Sequence, residues 1–221
     1  MYRSRGIGCD QVISIEPSAA ADAFMRILNA DGSEAGACGN AARCLAALLA
    51  PELGRRRISI ETAGGGVLEA EAAEDGLVTV DMGRPRFGWR EIPLALPCAD
   101  TRAIGLNFKF DDGRVLSEPT AVNVGNPHCI FWVADADAYD LAAAGPVLER
   151  HSMFPERANI SLAEVLPGGG SSSRLKLRVW ERGAGLTRAC GTAACAAAVG
   201  AARTGRTGRK VAVELPGGAL A

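Results

Sequence analysis

Residues 25 to 49 and 177 to 201 of this 221-residue chain are versions of one stretch. "MRILNADGSEAGACG" stands against "LRVWERGAGLTRACG", with the arginine and the terminal Ala-Cys-Gly in register. The match runs on through "ACGNAARCLAALLA" and "ACGTAACAAAVGAA". It resumes in "RISIETAGGG" (57–66) and "KVAVELPGG" (210–218), displaced by one residue. Each copy reads as strand, Gly-containing loop, Cys-Gly, helix, linker, strand, Gly-Gly. Alternation in "RISIE" and "VAVEL" marks strands with one buried face. The Ala- and Leu-rich runs have high helix propensity. They carry so few polar residues that both helices are predicted to be largely buried, with strands around them. A repeat of this length predicts an α+β fold of two pseudo-symmetric domains over residues 1–84 and 85–221. Each domain is expected to be a mostly antiparallel sheet or barrel wrapped around a central helix.

The first copy continues into a hairpin turning at Asp75 and Gly76, an Asp-Gly pair suited to a tight turn. The second copy stops at "GGALA". It is preceded by a predicted strand within "TAVNVGNPHCIFWVADAD" (120–137), for which the first copy has no counterpart. The expectation is that the chain lacks the N-terminal strand and the C-terminal hairpin of the full repeat.

Cys38 and Cys190 fall at matching positions, in or beside the first turn of their helices. The N–H groups there have no intrahelical acceptors, and the positive end of the helix dipole lies there. Such a place is expected to lower a thiol's pKa, and the glycines that follow let a ligand approach the backbone. Two helix starts of this kind suit a carboxylate flanked by a thiolate and a thiol. That is the equipment for inverting an α-carbon: one sulfur removes a proton as general base and the other supplies one as general acid. Amides on the carboxylate stabilise the charge that develops as the proton leaves. Cys44, Cys195, Cys9, Cys98 and Cys129 read instead as small core residues.

Composition narrows the remaining classes. The chain is 48% hydrophobic with a formal net charge of −1, ordinary for a soluble globular protein. No basic block points to nucleic acid, and no apolar run approaches a membrane helix. The N-terminal residues do not resemble a signal peptide, so a cytoplasmic location is expected. Seven cysteines and two histidines show no paired zinc spacing, so no metal is expected. The only lysines, Lys109, Lys176 and Lys210, leave few candidates for a Schiff base.

The segments "RGIGCDQ", "NADGSEAGACGNAAR", "NVGNPH", "WERGAGLTRACGTAAC" and "VELPGG" run in order across the chain, and together they resemble diaminopimelate epimerase. The resemblance implies interconversion of LL- and meso-diaminopimelate without a cofactor, serving lysine and peptidoglycan precursor synthesis. It also implies a homodimer. Carried over by position, it makes Cys38 and Cys190 the catalytic pair, with Glu181 and His128 supporting catalysis. Gly39, Asn40, Gly191 and Thr192 are then the grip on the α-carboxylate. Gln11, Asn29, Asn126, Asn159, Glu181 and Arg182 form the rest of the substrate-binding set. Arg182 suits a carboxylate fork-to-fork.

The sequence also departs from the family pattern. Ala41 and Ala193 replace a common second glycine, Leu186 replaces a common glutamate, and the N-terminal "GLGNDF" strand is not seen. Two alternatives have stated discriminators. A proline or hydroxyproline racemase-like enzyme shares the two-cysteine design, but a histidine would be expected where Asn40 stands. A non-catalytic binding protein of the same fold would have little reason to carry both cysteines with Glu181 and His128. "GAGLTRACG" is too incomplete for a dinucleotide site.

Overall fold

The computed structural model describes Cys9 and residues 11–36, 38–64, 66–169 and 172–221. Of the "RGIGCDQ" motif, all but Cys9 and Gln11 lies outside the described residues. The chain divides into two compact units, Met1–Gly83 and Arg84–Ala221.

Among the described residues, the first unit is one sheet and one helix. Its strands are β1 (Gln11–Glu16), β2 (Ala23–Asn29), β3 (Arg57–Thr62), β4 (Gly66–Ala72) and β5 (Val78–Asp81), in the spatial order β1-β2-β3-β4-β5. Helix α1 (Gly39–Leu53) connects β2 to β3, which lie parallel; the other pairings are antiparallel. That follows from chain length, because parallel neighbours need a long crossover. Alternate residues Met25, Ile27, Ile58, Ile60, Leu68 and Ala70 point to one side and enclose Ala42, Leu45 and Ala46 of α1. The helix stops at Gly54, whose φ of 63° is the left-handed geometry of a C-terminal cap. The opposite face of α1 is open, with Cys44 and Leu48 exposed. Cys44 is therefore not a core residue.

The second unit opens with a small hairpin, β6 (Asn107–Lys109) and β7 (Val115–Ser117). Its main sheet contains β8 (Thr120–Asn123), β9 (Pro127–Trp132), β10 (Asn159–Gly169), β11 (Ser172–Glu181), β12 (Gly185–Thr187), β13 (Val211–Leu215) and β14 (Gly218–Leu220). The path runs β14-β13-β11-β10-β9-β8, with β12 beside β11. Helix α2 (Leu141–Glu149) connects β9 to β10, and α3 (Gly191–Arg203) leads from β12 towards β13. Both faces of this sheet are covered. Ile130, Leu175, Leu177 and Val213 pack with Ala193, Ala196 and Ala197 of α3. Phe131, Ile160 and Leu162 pack with Leu141 and Leu148 of α2. The period-two alternation sorts consecutive residues Ile130 and Phe131 onto opposite faces. No residue of α3 is exposed, which explains its small side chains. A Cβ on Gly200 would lie 3.3 Å from the Trp132 ring.

The repeat is one of topology as well as letters. Strands β1, β2, β3 and β4 with α1 are matched by β10, β11, β13 and β14 with α3: antiparallel, parallel, antiparallel in each case. The bridge Leu28–Glu34 has its counterpart in Trp180–Leu186, at the spacing that separates Cys38 from Cys190. One expectation needs correction. The strand expected within residues 120–137 is a hairpin, β8 and β9, turning at Gly125 with φ 103°. Of the sheet or barrel expected in each domain, the described residues form the sheet, with no closed barrel among them.

Candidate active site

Each paired cysteine is the N-cap of its helix. Cys38 has φ −147° and ψ 107°, Cys190 has φ −141° and ψ 108°, the extended geometry of a residue handing the chain into a helix. Cys38 Sγ accepts a hydrogen bond from the Ala41 N–H at 3.5 Å. The glycine after each cysteine is the first helical residue, so the backbone amides of Gly39 and Asn40, and of Gly191 and Thr192, lie in first turns.

What holds the cysteine loops is also repeated. The Gly64 N–H donates to the Gly36 carbonyl at 3.0 Å, and the Gly217 N–H to the Arg188 carbonyl at 2.7 Å. Gly36 and Arg188 each stand two residues before their cysteine. A Cβ on Gly64 would sit 2.9 Å from that Gly36 oxygen, and one on Gly217 2.8 Å from that of Arg188. The duplicated Gly-Gly is thus a close backbone approach that only glycine permits.

Around Cys190, four predicted site residues connect. Thr192 Oγ1 lies 3.4 Å from Cys190 Sγ. Asn126 Nδ2 donates to Thr192 Oγ1 at 3.5 Å, and Asn126 Oδ1 lies 2.7 Å from His128 Nε2. Glu181 accepts a hydrogen bond from the Thr187 hydroxyl, and its carboxylate is within hydrogen-bonding reach of the Cys190 thiol. Cys190 is 4% exposed. Burial pushes its pKa well above the usual thiol value and the Glu181 charge adds to this, while the Thr192 hydroxyl and Ala193 N–H pull the other way. The helix start was expected to lower this pKa. Desolvation of the charged form wins instead. Cys129, in the core, is pushed up by burial alone.

His128 is fully buried, and its pKa is lowered to about 3, first by burial and then by the positive charge of Arg182. Asn159, 3% exposed, places Nδ2 on the Pro127 carbonyl at 3.0 Å and accepts the Arg182 N–H at 3.0 Å. It ties the "GNPH" turn to the "WERG" loop, keeping one amide hydrogen and one lone pair for other use. In the first unit, Gln11 Nε2 donates to Asn29 Oδ1 at 2.9 Å, and Asn29 Nδ2 donates to Ser33 Oγ at 3.0 Å.

Arg182 and Asn126 also line a cleft of about 330 Å³ within the second unit, together with Arg86, Arg90, Glu91 and Glu156. Arg182 Nη1 donates to the Glu156 carbonyl at 3.0 Å. A cleft with both arginines and carboxylates fits a head group bearing both charges. Sequence reasoning missed Glu149. This buried carboxylate accepts from Trp180 Nε1 at 2.7 Å and from the Gly183 N–H at 3.2 Å, fastening both sides of Glu181 and Arg182. Its only sequence signal is a charge on the apolar side of a short helix.

The diaminopimelate epimerase family profile matches residues 1–88 and 120–221. The chain belongs to that family. Diaminopimelate epimerase from Brucella melitensis is 53% identical over 214 residues, covering 96% of this chain and 69% of its own length. The enzyme of that name from Brucella anthropi is 53% identical, with 96% and 70% covered. Among solved structures, a hydroxyproline epimerase from Agrobacterium vitis with bound trans-4-hydroxy-L-proline superposes with a TM-score of 0.65 at 17% identity. It covers 94% of this chain and 64% of its own. A probable proline racemase from Agrobacterium radiobacter gives 0.66 at 16% identity, with 94% and 65% covered. At such identities these two likenesses establish the fold, and the family assignment rests on the profile and the Brucella relatives. Among the described residues, no helix is long and apolar enough to cross a membrane.

Proposed function

We propose that this chain interconverts LL- and meso-diaminopimelate by two-base proton transfer, with Cys38 and Cys190 as the acid–base pair. The reading rests on one observation above all. In a member of this family, both cysteines cap repeat-equivalent helices in the same backbone geometry, each behind a glycine-clamped loop. One sulfur takes the α-proton and the other returns a proton to the opposite face. Cys190, held protonated by burial, begins as the acid in the empty protein. Cys38 then serves as the base, and the roles exchange in the reverse direction. First-turn amides at Gly39, Asn40, Gly191 and Thr192 receive the α-carboxylate, where charge accumulates in the transition state. Glu181 steadies the reacting ammonium and the Cys190 proton. The chemistry asks for no cofactor.

Arg182, Asn126 and the cleft they line receive the distal amino-acid head, and Gln11, Asn29 and Asn159 complete the substrate-binding set. This second charged head separates the reading from a proline or hydroxyproline epimerase, whose substrate has none. Asn40, where that alternative calls for histidine, favours the same side. The family resemblance extends the proposal to a cytoplasmic homodimer acting in lysine and peptidoglycan precursor synthesis.

Incubation with LL-diaminopimelate in deuterated water tests reaction and substrate together. Deuterium is expected on one α-carbon per molecule as the meso isomer appears, with none entering proline or hydroxyproline. Cys38→Ala and Cys190→Ala should each abolish interconversion. Exchange into proline, or full interconversion by either variant, would refute the reading.

A further inference from the structure

We propose that Glu149 is a positioning residue for the reaction: its buried carboxylate fixes the Trp180 ring, and through that ring the place from which Glu181 meets the substrate's ammonium. The inference rests on the reading of Glu181 as the group that steadies that ammonium and goes beyond it. Glu149 is the last residue of α2 and is 4% exposed. A carboxylate withdrawn from water needs its oxygens occupied, and both are. Oε2 accepts the Trp180 Nε1–H at 2.7 Å. Oε1 accepts the Gly183 N–H at 3.2 Å and stands 3.7 Å from Arg157 Nη1. The Glu149 carbonyl accepts the Ala158 N–H at 3.3 Å, one residue before Asn159, which itself accepts the Arg182 N–H. One residue of α2 therefore holds the chain at 180 and at 183, with the two substrate-facing residues between these points.

The two oxygens do different work. Trp180 and Glu181 are consecutive on β11, so their side chains leave opposite faces of the sheet. Trp180 packs into the cluster around α2, while Glu181 takes the Thr187 hydroxyl and reaches Cys190 on the α3 side. Where the ring sits thus sets where the next residue's carboxylate emerges. The seat is made for a ring: a Cβ on Gly145 would lie 2.4 Å from Trp180 Cδ2, and one on Gly185 3.6 Å from Cη2. Gly145 stands inside α2 against helix propensity, and the room it leaves is filled by the indole. An indole has a single donor, and here it goes to Glu149. Arg182 is held otherwise, by Asn159 at its N–H and by the Glu156 carbonyl at Nη1, with the next residue, Gly183, on Oε1. Loss of the indole bond alone therefore releases Glu181 and leaves Arg182 in place.

Glu149→Gln makes that cut. Its one remaining acceptor oxygen belongs on the side with two donors, Gly183 and Arg157, which turns the amide NH2 against the Trp180 donor. Trp180→Phe removes the same bond from the other end and keeps a ring in the seat. Each variant should lower kcat on LL-diaminopimelate by about tenfold, through misplacement of Glu181, with KM within about twofold of the parent. The double variant should be less than about twofold slower than the slower single, where independent effects would multiply to about a hundredfold. Without substrate, ¹⁵N NMR of Glu149→Gln below its melting temperature should show the Glu181 backbone amide signal shifted along with the Trp180 indole signal. A merely structural carboxylate would lower the melting temperature and leave kcat alone. Parent-like kcat in Glu149→Gln, multiplicative losses in the double variant, or an unmoved Glu181 amide would overturn the proposal. The NMR measurement decides the positioning even if the parent fails to interconvert diaminopimelate, a result that would refute the functional reading alone.

Discussion

A histidine shut away from solvent keeps its ring neutral, and that has a cost in acid. His128 titrates near 6.5 in an unfolded chain and near 3 in the folded one. Below 6.5 the unfolded state takes up a proton that the folded state refuses, so stability falls as pH falls, until the folded group titrates near 3. The loss is about 1.4 kcal/mol per pH unit within that window. Lowering the pH from 6.5 to 5 should therefore remove roughly 2 kcal/mol through this one group. His128→Gln should flatten the slope of urea-unfolding stability against pH over that range. A slope equal to that of the parent would show that His128 becomes charged in the folded protein. The family motif marks this residue, but not its burial. Burial depends on β8 and β10 flanking β9, a fact of topology that "GNPH" does not contain. Glu149 was invisible for a related reason, since its partners Trp180 and Gly183 are far along the chain.

At the scale of elements, the two Gly-Gly turns set the loops that deliver the cysteines. Gly64→Ala would press a methyl against the Gly36 oxygen at 2.9 Å, and the loop two residues ahead of Cys38 would have to move. A destabilisation of about 1–3 kcal/mol is expected from such overpacking. A fall of roughly tenfold in kcat is also expected, because small displacements of a catalytic group are costly. Gly66→Ala is the control, with nothing within 4 Å of its added methyl. Melting curves and initial rates on the pair check the idea, and equal behaviour of the two variants would remove the clamp. These turns, with the strands and helices they join, could be read from sequence because their signals are local: period two, alanine runs, Gly-Gly. What escaped reading had mixed or distant signals. The turn between β8 and β9 interrupts an otherwise continuous apolar run, so two strands looked like one. Helix α2 carries Gly145 and Pro146 in its interior, both against helix propensity. It is held by burial of Leu141 and Leu148 and by the Trp180 ring, which lies where a Cβ of Gly145 would be. The parallel joins of β9 with β10 and of β11 with β13 depend on crossovers, which no local pattern announces.

On the scale of the whole molecule, a duplicated fold suits a reaction whose two directions are near mirror images. The duplication is imperfect where chemistry would use the difference. The position matched to Glu181 holds Asn29, and the one matched to Thr192 holds Asn40. Cys190 thus has a carboxylate and a hydroxyl beside it in its own unit, and Cys38 has amide side chains at the corresponding places. The halves share a backbone but set different side chains beside their cysteines, a difference that the match between the two copies does not reveal. The two-base reading proposed above requires both thiols to reach a single α-carbon, and from it follows a test on the protein without substrate. Mild oxidation of the empty protein should join Cys38 to Cys190, since a disulfide needs only Cα atoms about 4.4–6.8 Å apart. The linked peptides should be found by mass mapping, activity should vanish with their formation, and a dithiol reductant should restore both thiols and rate. Saturating substrate should slow the linkage by standing between the sulfurs. Inactivation with both of these thiols still reduced, or linkage of Cys38 to the exposed Cys44 in place of Cys190, would mean that the two helix caps do not serve one substrate.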